Sequence, residues 1–402
     1  MGSIERLTKV KLKCTDQYAT AQKLTQRVFC RLPSVLRKTS FFEARKMSQK
    51  VVTVRGPVDP QVLGFTLTHE HLSLNLHQFY ISAPSELESY IDGKIKLQNV
   101  GYILQYPYSC RYNLILNDDD AQEAVQKDVN QYKKIGGSTI VENSSHGLSR
   151  DLKQLYNLST TTDVHIVAGT GHYIQAVQPE SVLNMTVEEL ENFYTQEILS
   201  GIPISLSGGA METVCCGIIG EIGTSWPITP FEKKTIHATA EVQSTLNCPV
   251  SFHPGLVREA PFEIARLYLE AGGQPDKCVM SHMDVTLHNS EDLLEFAKLG
   301  TYCQFDLFGN ECSYQQWAPK SYMQSDEQRI QHILHLLEED FGERILMSHD
   351  VHTKHRLTNF GGHGYGHILT NILMRLASKD VSKETIDMIT IDNPARWLAM
   401  SK

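Results

Sequence analysis

Short apolar runs alternate along the chain with longer segments in which apolar residues recur every three or four positions. The short runs have strand length and are rich in β-branched residues, whereas the longer segments have the period of an amphipathic helix. Continuous apolar strands are typical of a parallel sheet that is covered by helices. The pattern predicts eight strands, near 65–71, 139–144, 164–171, 215–223, 248–254, 278–284, 301–308 and 344–351.

Start and stop signals bound the predicted helices. The run 117–120, Asn-Asp-Asp-Asp, begins a helix that Gly136-Gly137 ends, and Thr229-Pro230 begins another that stops before Pro249. Eight strand-then-helix units suit a barrel better than a doubly wound sheet, and the sequence has no glycine-rich phosphate turn after the first strand. We therefore predict an α/β fold, a (β/α)8 TIM barrel, in which the carboxyl ends of all strands meet at one mouth.

Candidate metal ligands stand at the ends of several predicted strands. His69 and His71 lie two residues apart on the first strand, so both side chains point to the same side. Four more residues of ligand type end later strands; they are Glu221, His253, His282 and Asp350. Each has an ordinary structural alternative when it is taken alone, such as a turn cap, a core histidine or a helix N-cap. Together, six such residues at the same end of a barrel indicate a metal site.

The motifs around these residues carry a family resemblance. T-H-E-H, G-I-I-G-E-I-G, F-H-P-G, S-H-M-D and S-H-D-V-H-T-K occur in this order, and from about Val51 to the C-terminus the chain resembles the phosphotriesterase family of the amidohydrolase superfamily, above all its animal branch. The resemblance implies two divalent cations, zinc by expectation, at the C-terminal mouth. His69, His71 and Asp350 would hold the first cation, His253 and His282 the second, and Glu221 would bridge them. Bacterial members bridge with a carboxylated lysine, but 215–223 contains no lysine.

This ligand set predicts hydrolysis. Two divalent ions about 3.5–4 Å apart share a water and lower its pKa towards neutrality, which supplies a bridging hydroxide. Asp350 is the expected general base, because it can take the proton of the attacking hydroxide and pass it to the leaving group. Asp284 is a candidate hydrogen-bond partner for a metal-bound histidine. Five residues are expected to contact the substrate: Tyr173, Arg258, His352, Lys354 and Tyr365. Of these, Arg258 and Lys354 are the candidates to pair with an anionic group of the substrate.

The resemblance also orders the possible substrates. Amide hydrolysis of a small N-acylated amino-sulfonate such as N-acetyltaurine is the first expectation, and a phosphotriester, an aryl ester or a lactone is the alternative. A mononuclear, deaminase-like amidohydrolase would lack a bridging carboxylate on the fourth strand, and Glu221 argues against it. A catalytically inactive binding scaffold would typically have lost a ligand. None of the six candidates is missing.

Composition and charge limit the partners. The chain has 41% apolar residues, 21% charged residues and a formal net charge of −9, so we expect no nucleic-acid partner. No apolar run reaches the length needed to span a bilayer, so we expect no membrane partner. The family resemblance implies a small-molecule substrate and a possible homodimer. The nine scattered cysteines suit reduced thiols in the cytoplasm. Residues 1–46 differ, with 11 Lys and Arg against 3 Asp and Glu. We predict a basic, disordered extension there, or alternatively a mitochondrial presequence, ahead of a barrel over 47–402.

Overall fold

Eight parallel strands, with helices between them, form one sheet that is nearly closed into a barrel. The computed structural model describes residues 49–312 and 315–401, so the extension predicted for 1–46 lies outside the described residues. The barrel strands follow one another around the sheet in the order of the chain. This arrangement confirms the predicted TIM barrel.

The strands are β1 (Gln49–Thr53), β2 (Gly56–Val58), β3 (Phe65–Glu70), β4 (Gly137–Glu142), β5 (His165–Thr170), β6 (Ile202–Ser205), β7 (Met211–Val214), β8 (Ile218–Gly223), β9 (Val250–His253), β10 (Cys278–Met280), β11 (Tyr302–Phe305), β12 (Ile345–Met347) and β13 (Met400–Ser401). The barrel consists of β3, β4, β5, β8, β9, β10, β11 and β12. Strand β1 pairs antiparallel with β2 and β13 in a separate small sheet.

The α-helices span Glu88–Ile91, Val100–Gln105, Asp119–Lys134, Leu152–Thr162, Glu180–Leu183, Val187–Leu199, Pro230–Leu246, Glu259–Glu270, Met283–Thr286, Ser290–Ala297, Asp326–Glu338, Leu373–Ala377, Lys383–Asp387 and Asn393–Leu398. Two π-helical turns cover Ile368–Ile372 and Met388–Asp392. Turns of 3-10 helix cover Pro60–Val62, His77–Phe79, Pro107–Ser109, Arg111–Leu114, Gln175–Val177, Pro275–Lys277, Gly342–Arg344, Lys354–Arg356, Thr358–Phe360 and Gly364–Gly366.

The two helices with the clearest sequence signals begin where the caps predict. The Asp118 side chain accepts a hydrogen bond from Ala121 N, and Thr229 forms a reciprocal capping box with Glu232. Such caps satisfy backbone N–H groups that have no partner within the helix. The glycine, proline and serine content of 202–210 predicts a surface loop, but the structure forms β6 and the turn of a hairpin with β7 there, so this prediction was wrong. The alternation of Ile202 and Ile204 with polar or small neighbours is the strand signal there.

The barrel closes between its first and last strands through side chains as well as backbone. Thr68 Oγ1 donates to Met347 O at 3.3 Å, His69 N donates to Ser348 Oγ at 3.0 Å, and Asp350 N donates to His69 O at 3.1 Å. The strand that carries two candidate ligands is thereby joined to the loop that carries a third.

Apolar side chains fill the barrel away from its mouth. Six of its strands contribute one buried residue each to a single cluster, Val141, Val167, Ile218, Val279, Tyr302 and Leu346. Trp397 of the last helix joins this cluster, and its Nε1 donates to Lys277 O, directly before β10. The amino-terminal end of the barrel is therefore packed, and the polar residues gather at the opposite end.

Candidate metal centre

Six side chains from five barrel strands converge at the carboxyl ends of those strands. Two come from the end of β3, one lies within β8, one ends β9, and two lie two or three residues beyond the ends of β10 and β12; they are His69, His71, Glu221, His253, His282 and Asp350. Five of them are buried and His253 is partly exposed. The barrel topology explains why residues so distant in sequence meet.

Glu221 lies between two pairs of histidines. Its Oε1 is 3.5 Å from His71 Nε2, and its Oε2 is 3.6 Å from His69 Nε2. On the other side, Oε2 is 3.2 Å from His253 Nδ1 and 3.8 Å from His282 Nε2. Both groups, each completed by Glu221, have ligand-type atoms within 4.8 Å of one another, the spacing that one metal ion requires of its ligands.

Asp350 lies beside the two histidines of the first group. Its Oδ1 is 3.2 Å from His71 Nε2 and 3.8 Å from His69 Nε2. Its backbone has φ 51°, a left-handed conformation that is uncommon for a residue other than glycine. The surrounding structure must hold this conformation, and it turns the carboxylate towards the two histidines.

Unpaired buried atoms in the cluster fit a cation. His69 Nε2, Glu221 Oε2 and Asp350 Oδ1 are buried and have no hydrogen-bond partner among the described residues, although buried polar atoms are normally paired. Burial disfavours charge on His69, but Glu221 and Asp306 outweigh burial and raise the pKa of His69 to about 10. Burial would also raise the pKa of Glu221, but His69 and His253 lower it to about 2. Glu221 is thus ionised among the imidazoles, and the unpaired nitrogen and oxygen atoms form a donor set that suits divalent cations.

Each candidate histidine also has a partner on its other ring nitrogen. His71 Nδ1 is 2.9 Å from Ser144 Oγ, and His253 Nε2 is 3.2 Å from Tyr173 Oη. Asp306, just after β11, serves two rings, since it lies 2.8 Å from the Nδ1 of His282 and 3.2 Å from the Nδ1 of His69. Such contacts fix the tautomer and the orientation of metal-binding imidazoles.

Sequence reasoning had offered Asp284 as such a partner, and the structure gives Asp284 another role. Its Oδ2 accepts from Arg329 Nε at 2.8 Å and from Leu307 N at 3.0 Å. Asp306 was missed, although it lies near the end of a predicted strand, 301–308, in the same way as the candidate ligands. The rule that selected the candidate ligands would have selected Asp306 too.

A cavity of about 620 Å³ opens onto the cluster. Its lining includes His71, Glu221, His253, His282 and Asp350, and beyond them most lining residues are apolar, among them Leu76, Phe79, Ile174, Trp226, Leu256 and Trp317. Two of the predicted substrate contacts, Tyr173 and His352, line this cavity. His352 Nδ1 lies 3.1 Å from Asp350 Oδ2, and its Nε2 lies 3.1 Å from Tyr108 Oη, a lining residue that sequence reasoning missed.

The other predicted substrate contacts are corrected, because Arg258, Lys354 and Tyr365 do not line the cavity. Arg258 is exposed and paired with Asp292 and Glu295. Lys354 is buried, pairs with Asp118 and lies over the Tyr112 ring. Tyr365 is buried behind the ligands, and its hydroxyl donates to His71 O at 2.8 Å. These pairings are distant in sequence, so the segment around each residue gave no sign of them.

Fold and site together define a metal-dependent hydrolase on a TIM barrel. The model of the phosphotriesterase family matches residues 49–398. A phosphotriesterase-related protein of Aedes aegypti is 63% identical over 352 residues, which cover 87% of this chain and 99% of that protein. One from Drosophila melanogaster is 50% identical and covers 87% of this chain and 98% of its own. The chain belongs to the phosphotriesterase family, whose members depend on a binuclear metal centre.

Two solved structures share the fold of this chain. A resiniferatoxin-binding protein from Rhodobacter sphaeroides superposes with a TM-score of 0.79 at 27% identity, over 87% of this chain and 94% of that one. The phosphotriesterase homology protein of Escherichia coli, complexed with phosphate in its active site, gives a TM-score of 0.67 at 26% identity, over 85% of this chain and 100% of its own.

Helix length and polarity bear on the membrane prediction. Within 49–312 and 315–401, every helix is too short or too polar to cross a bilayer. The cytoplasmic location and the homodimer stay predictions of the sequence.

Proposed function

We propose that this protein hydrolyses a carboxylic acid derivative, an N-acyl amide, ester or lactone, whose apolar part occupies the cavity. The observation that carries the proposal is the apolar cavity of about 620 Å³ with the candidate metal ligands in its lining. Pockets of this size and character enclose much of an organic ligand and fix its orientation with a few polar groups. A substrate seated there would present its scissile bond to the ligand cluster.

The proposed division of ligands follows the distances. His69, His71 and Asp350 would hold one cation, His253 and His282 the other, and the two oxygens of Glu221 would be shared between them. Four imidazoles and two carboxylates suit zinc, so we propose zinc at both positions. Bound divalent ions at such a centre supply Lewis acidity and lower the pKa of water.

Asp350 is the proposed proton acceptor. Burial would raise its pKa, but His352 and His71 outweigh burial and hold the pKa well below its usual range. The carboxylate is therefore ionised and can take a proton from the attacking water and return it to the leaving group. Because His352 Nδ1 lies 2.8 Å from Asp350 O and 3.1 Å from Oδ2, the ring restrains this carboxylate beside the cavity.

Tyr173 is the proposed hydrogen-bond donor to the substrate. His253 turns Nδ1 towards the cluster, so a neutral ring carries its proton on Nε2 and donates it to Tyr173 Oη. The phenol proton is then free for a substrate oxygen. Burial and the negative charge of Glu221 raise the pKa of Tyr173 well above its ordinary value, which keeps that proton in place.

An anionic substrate end has one candidate partner in the cavity. Lys320 is the single lysine or arginine among the described lining residues, and it is exposed. This supports an N-acyl amino-sulfonate such as N-acetyltaurine as a substrate, with its sulfonate at Lys320 and its acyl group at the metal centre. The volume leaves room for acyl chains longer than acetyl.

The test is a substrate panel with wild type, Asp350→Asn and Lys320→Met, and Lys298→Met as an exposed lysine outside the cavity lining. The panel contains N-acetyltaurine and its longer acyl homologues, a lactone series and an aryl phosphotriester. We expect carbonyl substrates to be hydrolysed, with turnover lost in Asp350→Asn and KM for sulfonates raised only in Lys320→Met. Hydrolysis of the phosphotriester alone, or turnover that survives Asp350→Asn, would contradict the proposal. No turnover by a protein that holds two metals would favour the inactive scaffold.

A further inference from the structure

Glu70 lies between two candidate ligands in sequence and is fully buried, yet its side chain takes no part in the ligand cluster. Its carboxylate accepts four hydrogen bonds from the loop after β12. Oε1 accepts from Ser348 Oγ at 2.8 Å, from His349 N at 2.9 Å and from His349 Nδ1 at 2.7 Å. Oε2 accepts from Val351 N at 3.0 Å. One side chain of β3 therefore binds both neighbours of Asp350.

The conformation of Asp350 explains why both neighbours need to be held. Asp350 has φ 51°, which costs energy for any residue with a Cβ, so the chain on either side must keep it there. Glu70 holds His349 and Val351, while Asp350 N itself donates to His69 O at 3.1 Å. The same end of β3 thus carries two ligands and fixes the backbone that presents a third.

The hydrogen-bond geometry of this network determines which atoms carry the protons. His349 Nε2 accepts a hydrogen bond from Ile368 N at 3.0 Å, so a neutral ring carries its proton on Nδ1 and donates it to Glu70. Arg356 Nη2 donates to His349 O at 2.8 Å and holds the same residue from the other side. Every group around the Glu70 carboxylate is a donor, so an amide in its place would set an N–H against an N–H or O–H.

We propose that Glu70 is a positioning residue that fixes the Asp350 carboxylate relative to His69 and His71, and so preorganises the first of the two cation positions. This inference rests on the proposed ligand division, and it concerns metal binding before any substrate is present. The second position, built from His253 and His282, has no contact with the Glu70 side chain. Loss of Glu70 should therefore affect the two positions unequally.

Glu70→Gln tests this, with zinc stoichiometry and affinity measured by chelator competition on the purified full chain. We expect the affinity for zinc at the first position to fall by about 10- to 100-fold, as is typical when a ligand loses its supporting hydrogen bonds. The affinity at the second position should be unchanged. In turnover of whichever panel substrate wild type hydrolyses, we expect kcat to fall more than KM changes, because the displaced Asp350 is also the proposed proton acceptor.

Asp128→Asn is the matched control. Asp128 is a buried carboxylate that accepts hydrogen bonds from the backbone N and the hydroxyl of Thr358, which is also in the C-terminal part of the chain, but it makes no contact with the ligand cluster. A merely structural role for Glu70 predicts the same outcome for both variants, a lower melting temperature with both zinc affinities intact. That result would overturn the proposal.

Ser348→Ala decides the question if Glu70→Gln does not fold. It removes one of the four donors and also the hydroxyl that accepts from His69 N, with little change in volume. A smaller weakening of the same zinc position supports the proposal, and unchanged binding of both zinc ions contradicts it. If wild type itself binds fewer than two zinc ions, the proposed binuclear function fails, whatever the variants show.

Discussion

A single carboxylate, Asp306, orients two of the candidate ligands. It is fully buried, and its two oxygens face His282 Nδ1 and His69 Nδ1 while Gln304 Nε2 donates to Oδ2 at 3.0 Å. Burial would raise its pKa, but the two histidines outweigh burial and hold the pKa well below its ordinary value. Because the two rings belong to opposite halves of the proposed centre, Asp306 should affect both cation positions.

We expect Asp306→Asn to weaken the affinity for both zinc ions by about 10- to 100-fold. The two imidazoles face different oxygens of Asp306, and the substitution replaces one of these oxygens with an NH2 group that cannot accept a hydrogen bond. Chelator competition measures this directly. Asp284→Asn is the comparison, because Asp284 is equally buried but pairs with Arg329; it should lower stability and leave zinc affinity intact. Wild-type zinc binding by Asp306→Asn would show that the two rings need no shared partner.

At the scale of residues, the sequence predicted the side chains that lie near strand ends. It did not predict which side chains pair with residues distant in sequence. The six candidate ligands were identified because each lies at or near the end of an apolar run. The prediction that Lys354 contacts the substrate was wrong because Lys354 forms an ion pair with Asp118, more than 200 positions away in sequence. Tyr108 was missed because it lies in a turn, Pro107–Ser109, whose approach to the mouth has no local signal.

At the scale of elements, a buried ion pair joins the loop after β4 to the helix Val187–Leu199. Arg150 donates through Nη1 and Nη2 to the two oxygens of Glu197, each at 3.0 Å, and His146 Nε2 lies 3.0 Å from Oε1. Burial would raise the pKa of Glu197, but His146 and Arg150 lower it to about 2, against an ordinary 4.5. The ionised form is thus favoured in the folded protein.

Glu197→Gln should therefore cost stability in a pH-dependent way. A pKa that is lowered on folding contributes stability that is complete above pH 4.5 and is lost as the pH falls towards 2. The shift corresponds to about 3 kcal/mol at pH 7. Denaturant unfolding of wild type and variant at pH 7 and pH 3 measures the difference. Glu188→Gln, an exposed residue of the same helix, should cost little at either pH. A penalty for Glu197→Gln that does not change with pH would contradict this account.

Elements with strong local signals were predicted closely, and weaker ones were not. The helix Pro230–Leu246 begins at a capping box and proline that are legible in sequence. The strands β10 and β12 are shorter than the predicted ranges 278–284 and 344–351, because the chain turns away at His282 and Asp350, both with positive φ. The segment 202–210 was predicted as a loop, because the glycines and serines of the hairpin turn obscured the alternation in β6.

At the scale of the whole molecule, stability and chemistry occupy opposite ends of one barrel. The amino-terminal end is closed by apolar packing that includes Trp397, whereas the mouth gathers carboxylates and imidazoles that lack a full set of partners. Ligand candidates come from five of the eight strands, so bound cations would act as cross-links around the mouth. The barrel itself does not depend on bound cations. Its strands are joined by backbone hydrogen bonds, and its amino-terminal end is packed by a cluster that contains none of the six candidate ligands.

Metal removal should consequently lower the melting temperature without abolishing the fold. A ligand that binds only the folded state stabilises it by about 4 kcal/mol when its free concentration is a thousand times its dissociation constant. We expect calorimetry to show a cooperative transition in chelator, several degrees lower than with zinc, and recovery when zinc is restored. Zinc should raise the melting temperature of Asp350→Asn less than that of wild type, because the variant lacks one proposed ligand of the first cation position. Equal melting temperatures with and without chelator would mean that the cluster holds no cation strongly enough to join the strands, and the proposed centre would fail with it.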